Sequence, residues 1–132
     1  MKRMHKSEAA DIAELKSCRR RILRDLPIRV ADGSVFQFDR DDEETIEGAL
    51  PALELNPALT VEWRLLGDGD TVVVNHASLS AYLAELKGLR SRRGLVVDAE
   101  YMVLKGEGCT RRQLHDWEAK YSGGYVPDLV RG

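Results

Sequence analysis

The order of secondary-structure signals between Val35 and Lys105 restricts the fold of this chain more than any single motif does. The segment contains a short β-prone run, a helix that starts with acidic residues, a β-hairpin and a second capped helix, in that order. It contains no recognisable catalytic signature. The order therefore predicts an architecture and gives no direct indication of chemistry.

Two β-hairpins are predicted from turn residues and β-prone runs. Residues 28–31 and 35–38 flank Asp32-Gly33, a dipeptide that readily supplies the positive φ angles of a tight turn. The Gly-rich turn at residues 67–70 lies between two further β-prone runs and is the clearest hairpin signal in the chain. We expect the two hairpins to pair into one small antiparallel sheet.

Apolar periodicity predicts a helix on each side of the first hairpin. The first helix covers about Glu8 to Leu26 and stops there, because Pro27 disfavours helical geometry in the residue before it. The second follows an acidic run, and either Asp41 or Asp42 is expected to cap it. Pro51 lies inside this second helix and predicts a kink or an early end.

Two more helices are predicted in the last 60 residues or so, where capping signals are clear. Asn75 is placed to cap the third helix, which either ends at Gly94 or continues to the break at residues 106–108. Thr110 and Gln113 have the spacing of a capping box and start the last helix. This helix reaches Tyr121, and an extended, apolar tail follows it.

These elements predict an α+β fold with an N-terminal helix, two hairpins forming a small antiparallel sheet, packed helices, and a C-terminal helix with an extended tail. A length of 132 residues is typical of a single domain. We divide it into a basic N-terminal helix (1–27), an α+β core (28–106) and a C-terminal helix with tail (107–132). The chain has no apolar run long enough to span a membrane, and no secretory signal is recognisable.

Charge is unevenly distributed along the chain and indicates where a partner could bind. Residues 1–30 carry nine Lys or Arg against four Asp or Glu, whereas residues 32–70 carry two against eleven. Such asymmetry is typical of a head-to-tail interface or a nucleic-acid arm, or simply of solvated helix faces. The basic character is not sustained, which argues against a nucleic-acid-binding module.

The apolar tail either lies on a partner or packs back on its own domain. The candidate interface residues are Arg20, Arg21, Arg24, Trp117, Tyr121, Tyr125, Val126, Leu129 and Val130.

No residue pattern predicts catalysis or the binding of a cofactor or metal. The three histidines lack the spacing of metal ligands, and no nucleophile elbow, Walker loop or dinucleotide fingerprint is present. Cys18 and Cys109 form no CxxC pair and are interpreted as two reduced thiols. We therefore expect a protein that is not an enzyme, with no catalytic residues and no cofactor.

From about residue 35 to 105 the pattern resembles a small domain of unknown function found in tail and tail-fibre proteins of tailed bacteriophages. The resemblance rests on the order of its pieces, which are Phe36-Gln37-Phe38-Asp39-Arg40-Asp41, Ile46-Glu47-Gly48-Ala49-Leu50, Val61-Glu62-Trp63-Arg64, Thr71-Val72-Val73-Val74-Asn75, Leu79, and Tyr101 to Lys105. It implies a structural component of a phage tail, baseplate or tail-fibre region that is assembled in the host cytoplasm and located in the virion. Its partners would be other tail or fibre proteins, and association with further copies of the same chain into a homo-oligomer is a second possibility.

Two alternative functions remain open at this point. The protein could be a tail-fibre assembly chaperone that is absent from the finished virion. It could also be a small phage inhibitor of a host defence complex, in which the acidic block at residues 39–54 would mimic phosphate. The alternative interpretation of this block is that its acidic residues cap a helix and lie on the solvent-exposed side of that helix.

Overall fold

A computed structural model describes residues 8–67 and 69–128 and confirms the α+β fold. The elements in the described ranges are α1 (Ile12–Arg24), β1 (Ile28–Arg29), β2 (Val35–Phe36), α2 (Arg40–Glu54), β3 (Val61–Arg64), β4 (Thr71–Val74), α3 (His76–Glu107) and α4 (Arg111–Tyr121). No helix in these ranges is both long and apolar enough to cross a membrane.

Both predicted hairpins are present, but they form two separate two-stranded sheets instead of one. Ile28 of β1 pairs with Phe36 of β2, while Val61 to Arg64 of β3 pair with Val74 to Thr71 of β4. A backbone hydrogen bond from Leu66 N to Val35 O, 2.9 Å long, connects the two hairpins. A longer ladder cannot form between them because β2 has only two residues and α2 begins soon after it.

Helix α2 begins two or three residues earlier than its acidic run suggested and continues past its proline. Asp39, rather than Asp41 or Asp42, is the N-cap, and Asp42 completes a capping box with it. The helix extends to Glu54, so Pro51 does not end it early. Pro51 removes a single backbone donor, and the burial of Ile46 and Leu53 on either side of it offsets that loss.

Helix α3 is continuous for 32 residues, so Gly94 does not end it. Asn75 caps it in a capping box with Ser78, and it ends at Gly108, whose φ of 77° favours glycine. Each internal glycine costs up to about 1 kcal/mol relative to alanine. Packing at both ends of the helix compensates for this cost, because α3 contributes side chains to two separate hydrophobic clusters.

The first cluster joins the hairpins, α2 and the N-terminal half of α3. Its buried members are Ile28, Val30, Phe36, Phe38, Ile46, Leu53, Val74, Leu79, Leu83 and Leu86. The second cluster joins α1, the C-terminal half of α3, and α4. Its buried members are Leu15, Cys18, Ile22, Val97, Tyr101, Cys109, Leu114, Trp117 and Tyr121. The division into segments 1–27, 28–106 and 107–132 stays a prediction, while the clusters show that α3 contributes to both halves of the packing.

Arg93 lies on α3 between the two clusters and is 1% exposed. Its guanidinium donates hydrogen bonds to Pro27 O at 2.7 Å and to Leu26 O at 3.2 Å. Burial lowers the pKa of Arg93 to about 10, which leaves the side chain charged at neutral pH. The segment that leaves α1 is therefore fastened to the middle of α3 by a buried cation.

Candidate functional site

The predicted basic surface of α1 is only partly available to a partner. Arg20 and Arg24 are exposed. Arg21 is also exposed, but its Nε donates to Glu118 Oε1 at 2.7 Å, and this hydrogen bond raises the pKa of Arg21. Arg21 thus connects α1 to α4, so it has an internal role in addition to any contact with a partner.

Trp117 and Tyr121, which were predicted as interface residues, are buried in the second cluster at 7% and 0% exposure. The Trp117 indole donates to Glu100 Oε1 at 3.3 Å, and the Tyr121 hydroxyl donates to the same oxygen. Burial alone would raise the pKa of Glu100, but these bonds and one from Lys120 lower it. Both aromatic rings therefore hold α4 on α3 and present no surface to a partner.

The described part of the tail packs back on its own chain. Arg29 N donates to Gly124 O at 2.9 Å, and Val126 packs against the first cluster. Tyr125 is 49% exposed, and its ring lies 6.1 Å from that of Tyr121. Of the predicted tail contacts, Tyr125 is thus accessible and Val126 belongs largely to the core, while Leu129 and Val130 lie outside the described residues.

The acidic block at residues 39–54 is used largely within the chain. Asp39 and Asp42 form the capping box of α2. Glu43 accepts from Arg90 Nη1 at 2.6 Å, and Glu47 lies 3.1 Å from Lys87 Nζ. The hydrogen bond from Arg90 lowers the pKa of Glu43. These contacts tie α2 to α3, which accounts for much of the block without an external ligand.

The two thiols are free and buried. Burial raises the pKa of the Cys18 thiol to about 11 and also raises that of Cys109. A thiolate is the reactive form of cysteine, so at neutral pH both side chains act as packing residues. Within residues 8–67 and 69–128, no group of three or more His, Cys, Asp or Glu is placed to hold a metal ion.

A continuous row of exposed residues lies on the side of α3 that points away from both clusters, which we call the outer face. Its residues follow one another at steps of three or four, which keeps them on one side of the helix, and all are exposed. They are Ala77, Ala81, Ala84, Gly88, Ser91, Leu95, Ala99, Met102 and Gly106. Leu95 and Met102 are 64% and 62% exposed, and Val103 beside them is 55% exposed. The outer face is therefore apolar or small over about 44 Å of helix.

Sequence reasoning missed the outer face because α3 is apolar on two sides. The spacing of Leu79, Leu83 and Leu86 identifies the side of α3 that faces the core, but it gives no information on the opposite side of the helix. A surface helix normally has a polar face opposite its core face. The same periodicity applied to Leu95 and Met102 would have shown that α3 lacks one.

The arrangement is suited to binding a protein surface by apolar contact. Solvent-exposed apolar patches of this extent mark interaction sites more often than scattered single residues do. The site has no nucleophile and base in contact, and its neighbours Asp98 and Lys87 form ion pairs with other helices. The chain has no significant match among known protein families, curated proteins or solved structures.

Proposed function

We propose that this protein is a non-enzymatic structural component of a bacteriophage tail, baseplate or tail-fibre region that acts by protein–protein docking. The single observation that carries the docking role is the exposed outer face of α3, with Leu95, Met102 and Val103 each more than half exposed. Removing such side chains from water is the main favourable contribution to association. The phage setting rests on the resemblance of residues 35–105 to a domain of tail and fibre proteins.

The docking surface lies on a rigid support. α3 is held by the first cluster near its N-terminus, by the second near its C-terminus and by Arg93 between them. A surface that is ordered before binding loses less conformational entropy on association. The proposed mechanism is therefore the seating of a preformed apolar helix face, and it involves no chemical step.

Quantitative mass spectrometry of purified virions tests this proposal. We expect the protein in intact particles, and we expect Leu95→Glu to reduce its incorporation strongly, because a charge at the centre of the outer face would have to be desolvated. Leu55→Glu, at a 90% exposed position at the end of α2, is the matched control and should leave incorporation unchanged.

Absence of the unmodified protein from intact virions would contradict the structural role. If the protein were absent from the particle but raised the soluble yield of a co-expressed fibre protein, the chaperone alternative would replace it. Normal incorporation of the Leu95→Glu variant would show that docking uses another surface.

A further inference from the structure

We propose that the partner at the outer face of α3 is a second copy of this chain, bound with its α3 antiparallel to the first. The inference deepens the proposed function and rests on it, because it names the molecule that the docking surface accepts. It is argued from the shape of the outer face, from the charges beside it and from its size.

The outer face differs in side-chain size between its two halves. Its N-terminal half consists of Ala77, Ala81, Ala84 and Gly88, whereas Leu95 and Met102 project from its C-terminal half. No heavy atom from elsewhere in the described chain lies within 4 Å of a Cβ built on Gly88, so the space above this residue is open. The face thus has a hollow half and a projecting half.

A two-fold axis between Ser91 and Arg92 makes these halves complementary. In this register Leu95 lies opposite the partner's Gly88, and Met102 lies opposite the partner's Ala81. A two-fold interface contains every such contact twice, so both hollows are filled by both projections. A parallel pair would place Leu95 against Leu95 and leave the alanines facing each other across a gap, which loses packing contacts.

Charges near the outer face favour the same arrangement. Residues of the face itself carry no charge, and two charged side chains beside it, Asp98 and Lys87, form ion pairs with other helices. Asp98 bonds to Arg19 at 2.7 Å, and Lys87 lies 3.1 Å from Glu47. Arg92 lies 3.6 Å from Asp128, and in the antiparallel register it would also lie beside the partner's Ser91 hydroxyl, which can accept a hydrogen bond. The face itself would therefore bring no charged side chain into the interface.

The size of the face predicts a dimer of modest affinity. A strip about 44 Å long and about 10 Å wide provides on the order of 450 Å² of projected contact per copy. The total over both copies, about 900 Å², is below the roughly 1,200–2,000 Å² of stable specific interfaces, so we expect a weak dimer with a dissociation constant at the upper end of the micromolar range.

Sedimentation equilibrium over a range of concentrations tests the dimer directly. We expect a monomer–dimer equilibrium in the micromolar range for the unmodified chain and at least tenfold weaker association for Leu95→Glu. Leu55→Glu is the control and should associate as the unmodified chain does. A chain that stays monomeric up to millimolar concentration, or equal association of both variants, would overturn the proposal.

Gly88→Leu separates the interface from the fold. A Cβ at Gly88 meets nothing within 4 Å, and leucine favours a helix more than glycine does, so the monomer should be at least as stable. The dimer should be weakened at least tenfold, because the hollow that accepts Leu95 is filled. Gly48→Leu makes the same change at an exposed, open position of α2 and should leave association unchanged. Unchanged association of Gly88→Leu would refute the antiparallel register.

Cross-linking with a short thiol-reactive reagent tests the orientation. Ala81→Cys and Met102→Cys variants should cross-link efficiently when mixed and poorly when each is treated alone, because identical positions lie about 30 Å apart in the antiparallel register. Cys18 and Cys109 are buried, and the unmodified chain provides the background. Efficient cross-linking of Ala81→Cys with itself would show a parallel pair and contradict the proposal.

The two proposals fail in different experiments. Presence of the protein in virions together with a monomer in solution would retain the docking role and reject the second copy as partner. A dimer in solution together with absence from virions would retain the dimer and reject the tail component.

Discussion

Arg93 shows how much a single residue contributes to holding this fold together. A basic residue in the run from Arg90 to Arg93 would ordinarily be assigned to the surface, but the guanidinium of Arg93 is buried and donates to Pro27 O and Leu26 O. Hydrogen bonds from a charged donor compensate part of the cost of removing it from water. The neighbours Arg90 and Arg92 have different roles, with Arg90 placed 4.7 Å over the Phe38 ring and Arg92 near Asp128.

We predict that Arg93→Met lowers the free energy of unfolding by about 1–3 kcal/mol, because two buried carbonyl oxygens lose their donors while the volume is largely kept. Denaturant unfolding at neutral pH measures this change. Arg20→Met, at an exposed position of α1, is the control and should change stability by less than about 0.5 kcal/mol. Equal stability of both variants would show that Arg93 contributes only packing.

Glu100 gives the fold a dependence on acid pH. Its pKa is lower in the folded protein than its usual value of 4.5, so folding favours the carboxylate. The stabilisation is therefore complete above about pH 4.5 and is lost as the pH falls through the lowered pKa of the folded state. Glu100→Gln should lower the free energy of unfolding by about 1 kcal/mol at pH 7 and by much less at pH 3.

The measurement for Glu100 is denaturant unfolding at a series of pH values from 3 to 7. Glu54→Gln removes an exposed carboxylate at the end of α2 and should follow the unmodified protein throughout this range. A constant difference between Glu100→Gln and the unmodified protein at all pH values would contradict the assignment.

At the scale of elements, capping signals located the starts of α3 and α4, whereas the N-cap of α2 is Asp39 and lies before the predicted Asp41 or Asp42. Asn75 and Thr110 cap their helices as predicted, because a cap depends on residues within one turn. The continuation of α3 through Gly94 depends on packing against both clusters, which is a property of distant residues. Packing also explains why α2 continues beyond Pro51, since Leu53, which follows the proline in the helix, is buried.

Two glycines, one inside α3 and one after α4, should respond in opposite ways to alanine. A Cβ at Gly94 meets nothing within 4 Å, so Gly94→Ala should stabilise the protein by about 0.5–1 kcal/mol through helix propensity. Gly124 has a φ of +90°, and a Cβ there would lie 2.7 Å from Arg29 N, so Gly124→Ala should destabilise it. Thermal unfolding measures both, and a stabilised Gly124→Ala variant would contradict the close packing of the tail on β1.

At the scale of the whole molecule, one long helix connects two hydrophobic clusters. Among the described elements, α3 contacts α1, α2, β1 and β4. A helix shared in this way should make the two clusters unfold together, because neither half of α3 retains its packing once the other is lost. The predicted single-domain organisation can be tested on this basis.

The two tryptophans report on the two clusters separately. Trp63 packs against the first cluster and Trp117 lies in the second. We predict that Trp63→Phe and Trp117→Phe variants, each followed by the fluorescence of the remaining tryptophan, agree with the far-ultraviolet circular dichroism midpoint of the same variant. A fluorescence midpoint that departs from it in either variant would show that the clusters unfold independently.

The α+β class, the order of elements, both hairpin turns and the helix caps at Asn75 and Thr110 were determined by the sequence, because each depends on residues that are close together in the chain. Tertiary structure decided the separation of the hairpins into two sheets, the length of α3, the burial of Trp117, Tyr121 and Arg93, and the exposure of Leu95 and Met102. Whether an apolar side chain is buried depends on which distant surfaces reach it. That is why an apolar residue at the right helical spacing could belong either to the core or to the outer face, and only the packed molecule distinguishes the two.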